Sequence, residues 1–208
     1  QRRVGALTDC GQVVDLNLAS ALYHRDVSNE PAFYRLADAM VPADMVTLFE
    51  GGDSSLDAAK KALEWIKGQG ADVDGPNGER ICFPVEEVQL KAPIVPRKFF
   101  HTAGNFREHH VEAERAGFSH PVRPWIVFFQ NVDAIIGPGE PVVFPQHLTK
   151  ELDYELELAV VLKKSGSYFS PEEAEDYIGG FVIFNDITAR DIQRREMESG
   201  VFSYCKAI

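Results

Sequence analysis

Asp153-Tyr154-Glu155-Leu156-Glu157-Leu158-Ala159-Val160-Val161 is the stretch on which the fold turns. Its strict alternation of side-chain character has the period of a β-strand. Tyr154, Leu156, Leu158 and Val160 share one face, which the pattern predicts to be buried. Glu155 and Glu157 share the other, roughly 7 Å apart along the strand. Two carboxylates that close repel unless solvent screens them or a cation bridges them. A plain wet face would stay polar, yet Ala159 and Val161 continue the glutamate face with apolar residues, which favours a bound cation.

Downstream, Gly180-Phe181-Val182-Ile183-Phe184-Asn185-Asp186 reads as an apolar strand ending in an acid. Asp186 at that terminus is placed to be a third oxygen ligand, and three carboxylates suit a hard cation such as Mg²⁺, Mn²⁺ or Ca²⁺. Thr188-Ala189-Arg190-Asp191-Ile192-Gln193 then starts a helix, and Arg190 and Gln193, at i and i+3, share a face of it. The competing reading makes Asp186 or Thr188 a helix cap and Arg190 an ordinary ion-pair partner. Upstream, Gly104-Asn105-Phe106-Arg107-Glu108-His109-His110-Val111-Glu112-Ala113-Glu114 predicts a helix that carries His109 and Glu112 at i and i+3. A carboxylate so placed can orient an imidazole as a general base. His110 with Glu114 is a rival pair of equal standing on spacing alone. His24, His101, His120 and His147 belong to no spacing pattern and read as structural.

Working outward, residues 1–92 alternate short strands and helices. Arg3–Thr8 and Val13–Leu16 predict a hairpin, and Pro31–Met40 and Leu56–Lys67 predict helices, the second capped by Ser54 or Ser55. The proline-rich Lys91–Arg97 reads as an extended connector. Residues 93–208 are strand-rich, with strands expected at Phe99–Thr102, Ile126–Phe129, Tyr154–Leu162 and Gly180–Asp186. Helices are expected at Phe106–Ala116, Pro171–Tyr177 and Ala189–Glu198. Ser170, Pro171 and Glu173 form a helix-start signature.

The 208 residues, 45% hydrophobic and 25% charged, have ordinary globular composition, which excludes a disordered or collagen-like chain. A net charge of −11 disfavours nucleic acid and anionic membrane as partners. No apolar run approaches the ~18 residues of a membrane span, and no signal peptide is visible. Cys10, Cys82 and Cys205 show no zinc or CxxC spacing, so reduced thiols and a cytoplasmic location are expected.

The order Gly-x-x-x-x-His-x-x-Glu, then Leu-Asp-Tyr-Glu-Leu-Glu-Leu-Ala-Val-Val, then Asn-Asp-Ile-Thr-Ala-Arg-Asp-Ile-Gln resembles the fumarylacetoacetate hydrolase superfamily from about Lys98 to Ile208. The resemblance implies an α+β, β-rich fold: a mixed β-roll or barrel catalytic domain at 93–208 and a smaller α+β domain at 1–92. It implies metal ligands Glu155, Glu157 and Asp186, with Mg²⁺ first and Mn²⁺ or Ca²⁺ as alternatives. It implies a catalytic His109/Glu112 pair, an active-site Lys206, and Arg190 and Gln193 beside the substrate oxygens. The implied partner is a small anionic oxo-acid and the implied assembly a homodimer. The implied reaction is hydrolysis of a C–C bond in an acylpyruvate-like 2-oxo acid through a metal-stabilised enolate. Decarboxylation, isomerisation and dehydration are the alternatives within the family.

Two departures from the family pattern accompany it. Phe106 stands where the pattern more usually has tyrosine, and the family's C-terminal Gly-Pro turn and Thr-Gly-Thr-Pro-like loop have no counterpart. The catalytic domain is therefore expected to be unfinished at Ile208. Outside the family, the rival is a non-catalytic β-module holding structural Ca²⁺, which would need neither His109-x-x-Glu112 nor Lys206.

Overall fold

A computed structural model describes residues 2–70, 73–103, 127–201 and 203–207. The chain forms two compact units: Gln1–Ile94 with Gly137–Gly139 and Ala159–Val182, and Val95–Ile136 with Glu140–Leu158 and Ile183–Ile208.

In the first unit, β1 (Gly5–Leu7) and β2 (Gln12–Asp15) form the expected antiparallel hairpin, with Leu7 opposite Val13 and Gly11 at φ 77° in its turn. β3 (Cys82–Pro84) adds to β2, again antiparallel. Two helices that periodicity did not single out follow their own caps. The Asp15 carboxylate accepts from the Leu18 N–H at the start of α1 (Leu16–Asp26), and Asp44 caps α3 (Met45–Glu50) through the Thr47 N–H. α2 spans Phe33–Met40.

α4 (Gly52–Lys67) begins nearly a turn earlier than the serine signal suggests. Ser55 lies buried within it instead of capping it, packed so close to Gly51 that a side chain there would collide. Gly52, at φ 63°, supplies the left-handed backbone that separates α3 from α4. One core joins Val14, Ala19, Leu22, Ala62, Ile66 and Ile81, and a second joins Val4, Leu16, Val41, Leu48 and Ala59.

In the second unit, β4 (Phe100–Thr102) pairs antiparallel with β5 (Val127–Phe129), which sets His101 opposite Phe128. The expected strand Tyr154–Leu162 is broken. β6 (Leu152–Asp153) pairs with β9 (Thr188–Ala189), whereas β7 (Leu156–Leu162) pairs with β8 (Ile178–Asn185). The 310 helix Pro171–Tyr177, which belongs to the first unit, precedes β8 and carries the Ser170/Glu173 capping box. α5 (Arg190–Glu198) starts directly after β9. Its first turn is held from outside the helix: the Arg190 N–H donates to the Glu151 carbonyl at 2.8 Å, and the Asp191 carboxylate accepts from the Lys150 N–H at 3.1 Å. Neither Asp186 nor Thr188 caps it; the N-cap position is Ala189.

The burial of β7 runs opposite to expectation. Tyr154, Leu156, Leu158 and Val160 form the exposed face, Leu156 being 73% exposed, and Ile183 of β8 is 76% exposed. Glu157, Ala159 and Val161 on the opposite face are each only partly exposed. The overall class is mixed α and β, with small two- and three-stranded sheets and no closed barrel among the described residues. No helix among them is long and apolar enough to cross a membrane.

Candidate metal and oxo-acid site

The break between β6 and β7 creates the site. At Glu155 the chain leaves one sheet for another. The Glu155 N–H donates to Asn185 Oδ1 at 3.1 Å, and its carbonyl accepts from the Asp186 N–H at 2.8 Å. Glu155 and Glu157 consequently have different neighbours instead of lying flush on one strand. Glu155 receives Lys206 Nζ at 2.8 Å on one oxygen and Arg190 on the other. Glu157 Oε2 lies 3.4 Å from His101 Nδ1.

Asp186, at the end of β8, is 1% exposed and sits between these two groups. One of its oxygens, Oδ2, takes the Lys206 ammonium and lies 3.4 Å from His101 Nδ1. The other accepts from Gln130 Nε2 at 3.3 Å. Lys206 completes its three donations with Thr188 Oγ1 at 2.9 Å. It is aimed by Glu196 of α5, whose carboxylate accepts both the Tyr204 and Cys205 N–H groups at 2.9 Å and so clamps the turn that carries the lysine. Cys205 packs with Ala189 and Ile192 beneath it. Arg190 donates from Nε to Asp153 at 2.9 Å and from a terminal nitrogen to Gln193 Oε1 at 2.9 Å, so the i, i+3 face anticipated for Arg190 and Gln193 exists.

Burial and charge act against each other here. Burial disfavours the Lys206 ammonium, but the hydrogen bonds to Asp186 and Glu155 outweigh it and lift the lysine above its ordinary pKa. Burial also works to raise Glu155, and there Lys206 and Arg190 win, holding it below the usual glutamate value. At Asp186, the more enclosed carboxyl, burial prevails over Lys206 and His101, and the pKa is raised.

The structure thus brings together Glu155, Glu157, Asp186, Arg190, Gln193 and Lys206 of the residues singled out from sequence. His109 and Glu112 lie outside the described residues. His101 was missed. It is 5% exposed, and with Glu157 and Asp186 it forms the one group of acid, histidine or cysteine ligand atoms close enough to hold a metal ion among the described residues. No local signal marks it, because its partners are more than fifty positions away in sequence. His101 Nε2 is buried and meets no hydrogen-bond partner among the described residues, as does Gln130 Oε1. Oxygen donors from separate elements, converging with an imidazole nitrogen, fit a divalent cation.

The chain has known relatives. Residues 98–208 match the family model described as fumarylacetoacetate (FAA) hydrolase C-terminal. Oxaloacetate tautomerase YisK of Bacillus subtilis is 33% identical over 201 residues, 94% of this chain and 59% of that protein. Fumarylacetoacetate hydrolase from Exiguobacterium antarcticum superposes with a TM-score of 0.60 at 23% identity, over 99% of this chain and 58% of the other. At that identity the likeness speaks for the fold alone. 5-Carboxymethyl-2-hydroxymuconate delta-isomerase from Mycobacterium smegmatis is 31% identical with a TM-score of 0.50, over 61% of this chain and 47% of the other. The chain therefore spans less than two thirds of the length of each relative. With the family model matched across more than half of its residues, and with the acid, lysine and arginine motifs meeting in one place, this chain belongs to the fumarylacetoacetate hydrolase family.

Proposed function

We propose that this chain carries a divalent-metal-dependent enzyme site for a small 2-oxo acid and works by enol–keto chemistry, with oxaloacetate ketonisation the favoured reaction. The observation that carries this reading is the buried Lys206 ammonium set among Glu155, Asp186 and Thr188, beside the His101–Glu157–Asp186 group. A passive cation site has no need of a lysine there. The relatives' names support the choice of reaction: one is an oxaloacetate tautomerase and another a delta-isomerase.

In this proposal Glu155, Glu157 and Asp186 hold the cation, with Mg²⁺ the ion expected of a carboxylate set. A bound cation supplies Lewis-acid polarisation of the substrate's oxygens. Lys206 keeps its proton, because Asp186 and Glu155 favour the ammonium, and Nζ–H would donate to the oxygen that carries enolate charge between loss of the enol proton and protonation of the adjacent carbon. Arg190, braced by Asp153 and Gln193, positions the anionic end of the substrate. Ketonisation moves one proton from oxygen to carbon and needs no activated water. A 93–208 catalytic domain with a β-roll, a 1–92 companion domain and a homodimer belong to the same reading on the strength of the family resemblance, and a cytoplasmic location on the strength of the cysteine pattern.

A second reading, C–C hydrolysis of an acylpyruvate, is favoured by the His109-x-x-Glu112 spacing, which would supply a base for water. Both are tested together. Loss of enol-oxaloacetate absorbance and release of pyruvate from acetylpyruvate are followed with Mg²⁺, with Mn²⁺ and with EDTA. Ketonisation should be accelerated by the wild-type chain, lost in EDTA and lost in Glu157→Gln. If neither substrate turns over with either ion, the proposal fails. Acetylpyruvate cleavage that disappears in His109→Ala but survives in His110→Ala puts the hydrolytic reading first.

A further inference from the structure

The geometry points to His101 as a nitrogen ligand of the ion held by Glu157 and Asp186, a ligand that tilts the site away from Mg²⁺ toward Mn²⁺, Co²⁺ and Zn²⁺. This rests on the cation reading above and extends it to which ion is taken. The ring is fixed before any ion arrives. It stacks on Phe128 at 4.9 Å between centroids and 19° between planes, lies 4.6 Å from Phe99, and meets the edge of Phe184 at 5.5 Å. The β4–β5 register places Phe128 directly across from it.

Its Nδ1 then faces two carboxylate oxygens, one from β7 and one from the residue just past β8, each at 3.4 Å. That is longer than the ~2.7–3.2 Å of a good N–H···O bond. It matches the ~3.4 Å that separates donors around a four-coordinate ion with bonds of ~2.1 Å.

Two other roles for His101 fit less well. As a countercharge for Asp186 it would be redundant, because the Lys206 ammonium already occupies the same Oδ2. As an ordinary core histidine it should hold its acidic neighbours at hydrogen-bond distance through Nδ1, yet both carboxylate oxygens stand 3.4 Å away. An imidazole in an otherwise carboxylate set favours borderline transition ions, whereas Mg²⁺ prefers oxygen donors in a near-octahedral arrangement.

The test is ion binding, without turnover. The full chain is titrated calorimetrically with MgCl₂, MnCl₂ and CoCl₂, and the Mn²⁺-loaded protein is examined by pulsed electron paramagnetic resonance for nitrogen coupling. The wild-type chain should show imidazole nitrogen coupling and bind Co²⁺ and Mn²⁺ more tightly than Mg²⁺. His101→Asn should lose the coupling and at least ~10-fold of its Co²⁺ affinity, with Mg²⁺ affinity little changed. Absence of nitrogen coupling in the wild-type protein overturns the inference without recourse to a variant, as does coupling that survives His101→Asn. If Glu157→Gln and Asp186→Asn abolish binding while His101→Asn leaves the Co²⁺/Mg²⁺ ratio intact, only the histidine's part fails. If the wild-type chain binds none of the three ions, or the carboxylate variants bind them as well as it does, the cation reading itself fails.

Discussion

Replacing Lys206 with methionine keeps an unbranched chain of similar length but deletes the ammonium that joins Glu155, Asp186 and Thr188. The lysine side chain is 4% exposed and that of Asp186 1%, so solvent cannot take over the lost charge. Breaking a buried ion pair by removing one partner ordinarily costs about 3–5 kcal/mol. A ceiling follows from proton binding. Asp186 can escape its unpaired charge by taking up a proton, which costs ~1.4 kcal/mol for each pH unit above a reference pKa of ~3.9. That sets a limit of about 4 kcal/mol at pH 7 and about 1.5 kcal/mol at pH 5. Lys206→Met in EDTA should therefore be about 3–4 kcal/mol less stable than wild type at pH 7, with the deficit shrinking to about 1.5 kcal/mol or less at pH 5.

A divalent cation on the same carboxylates should return much of this, ~2.7 kcal/mol at one hundred times its dissociation constant. Wild type should gain less, because there the ion competes with Lys206 for Asp186 and Glu155. Urea unfolding at the two pH values, with EDTA and with Mn²⁺, measures all four quantities. A deficit under about 0.5 kcal/mol at pH 7, or one that does not change with pH, would refute the argument that Lys206 neutralises a buried acid.

Two further tests probe the first unit and the thiols. Burial, then the hydrogen bond to Glu79, pushes the Tyr34 phenol up to about 12 from its ordinary 10, so the neutral form is preferred on folding. Its contribution to stability is complete below pH 10 and is lost as pH rises through about 12; Tyr34→Phe should flatten the fall of unfolding free energy across that window, and an unchanged slope would refute the assignment. Cys10 is exposed, and the Thr8 hydroxyl lowers its pKa, whereas Cys82 and Cys205 are buried and burial raises both, Cys205 to about 12. A disulfide reagent should modify one thiol rapidly in the native chain and all three after denaturation, with the fast phase gone in Cys10→Ser; two fast thiols in the native protein would contradict this burial.

What could be read from the residues was what depends on near neighbours. The β1–β2 hairpin, the Ser170/Glu173 capping box, the i, i+3 pairing of Arg190 with Gln193 and the acid at the end of β8 are all set by contacts within a few positions. The family motifs carried Glu155, Glu157, Asp186 and Lys206 as well, as a pattern of residue types. α1 and α3 are marked in the sequence by Asp15 and Asp44 as caps, with no long apolar period to accompany them.

Other features required the fold. The break at Tyr154-Glu155 arises because β6 pairs with β9 while β7 pairs with β8, and this choice of partners gives different neighbours to two glutamates that alternation alone places side by side. His101 joins Glu157 and Asp186 only because the β4–β5 ladder brings a strand from far earlier in the chain against them. The amino-acid sequence by itself determined which chemical groups this protein owns and the local elements that carry them. Strand pairing over long separations, which leaves no periodic trace, decided which of those groups meet.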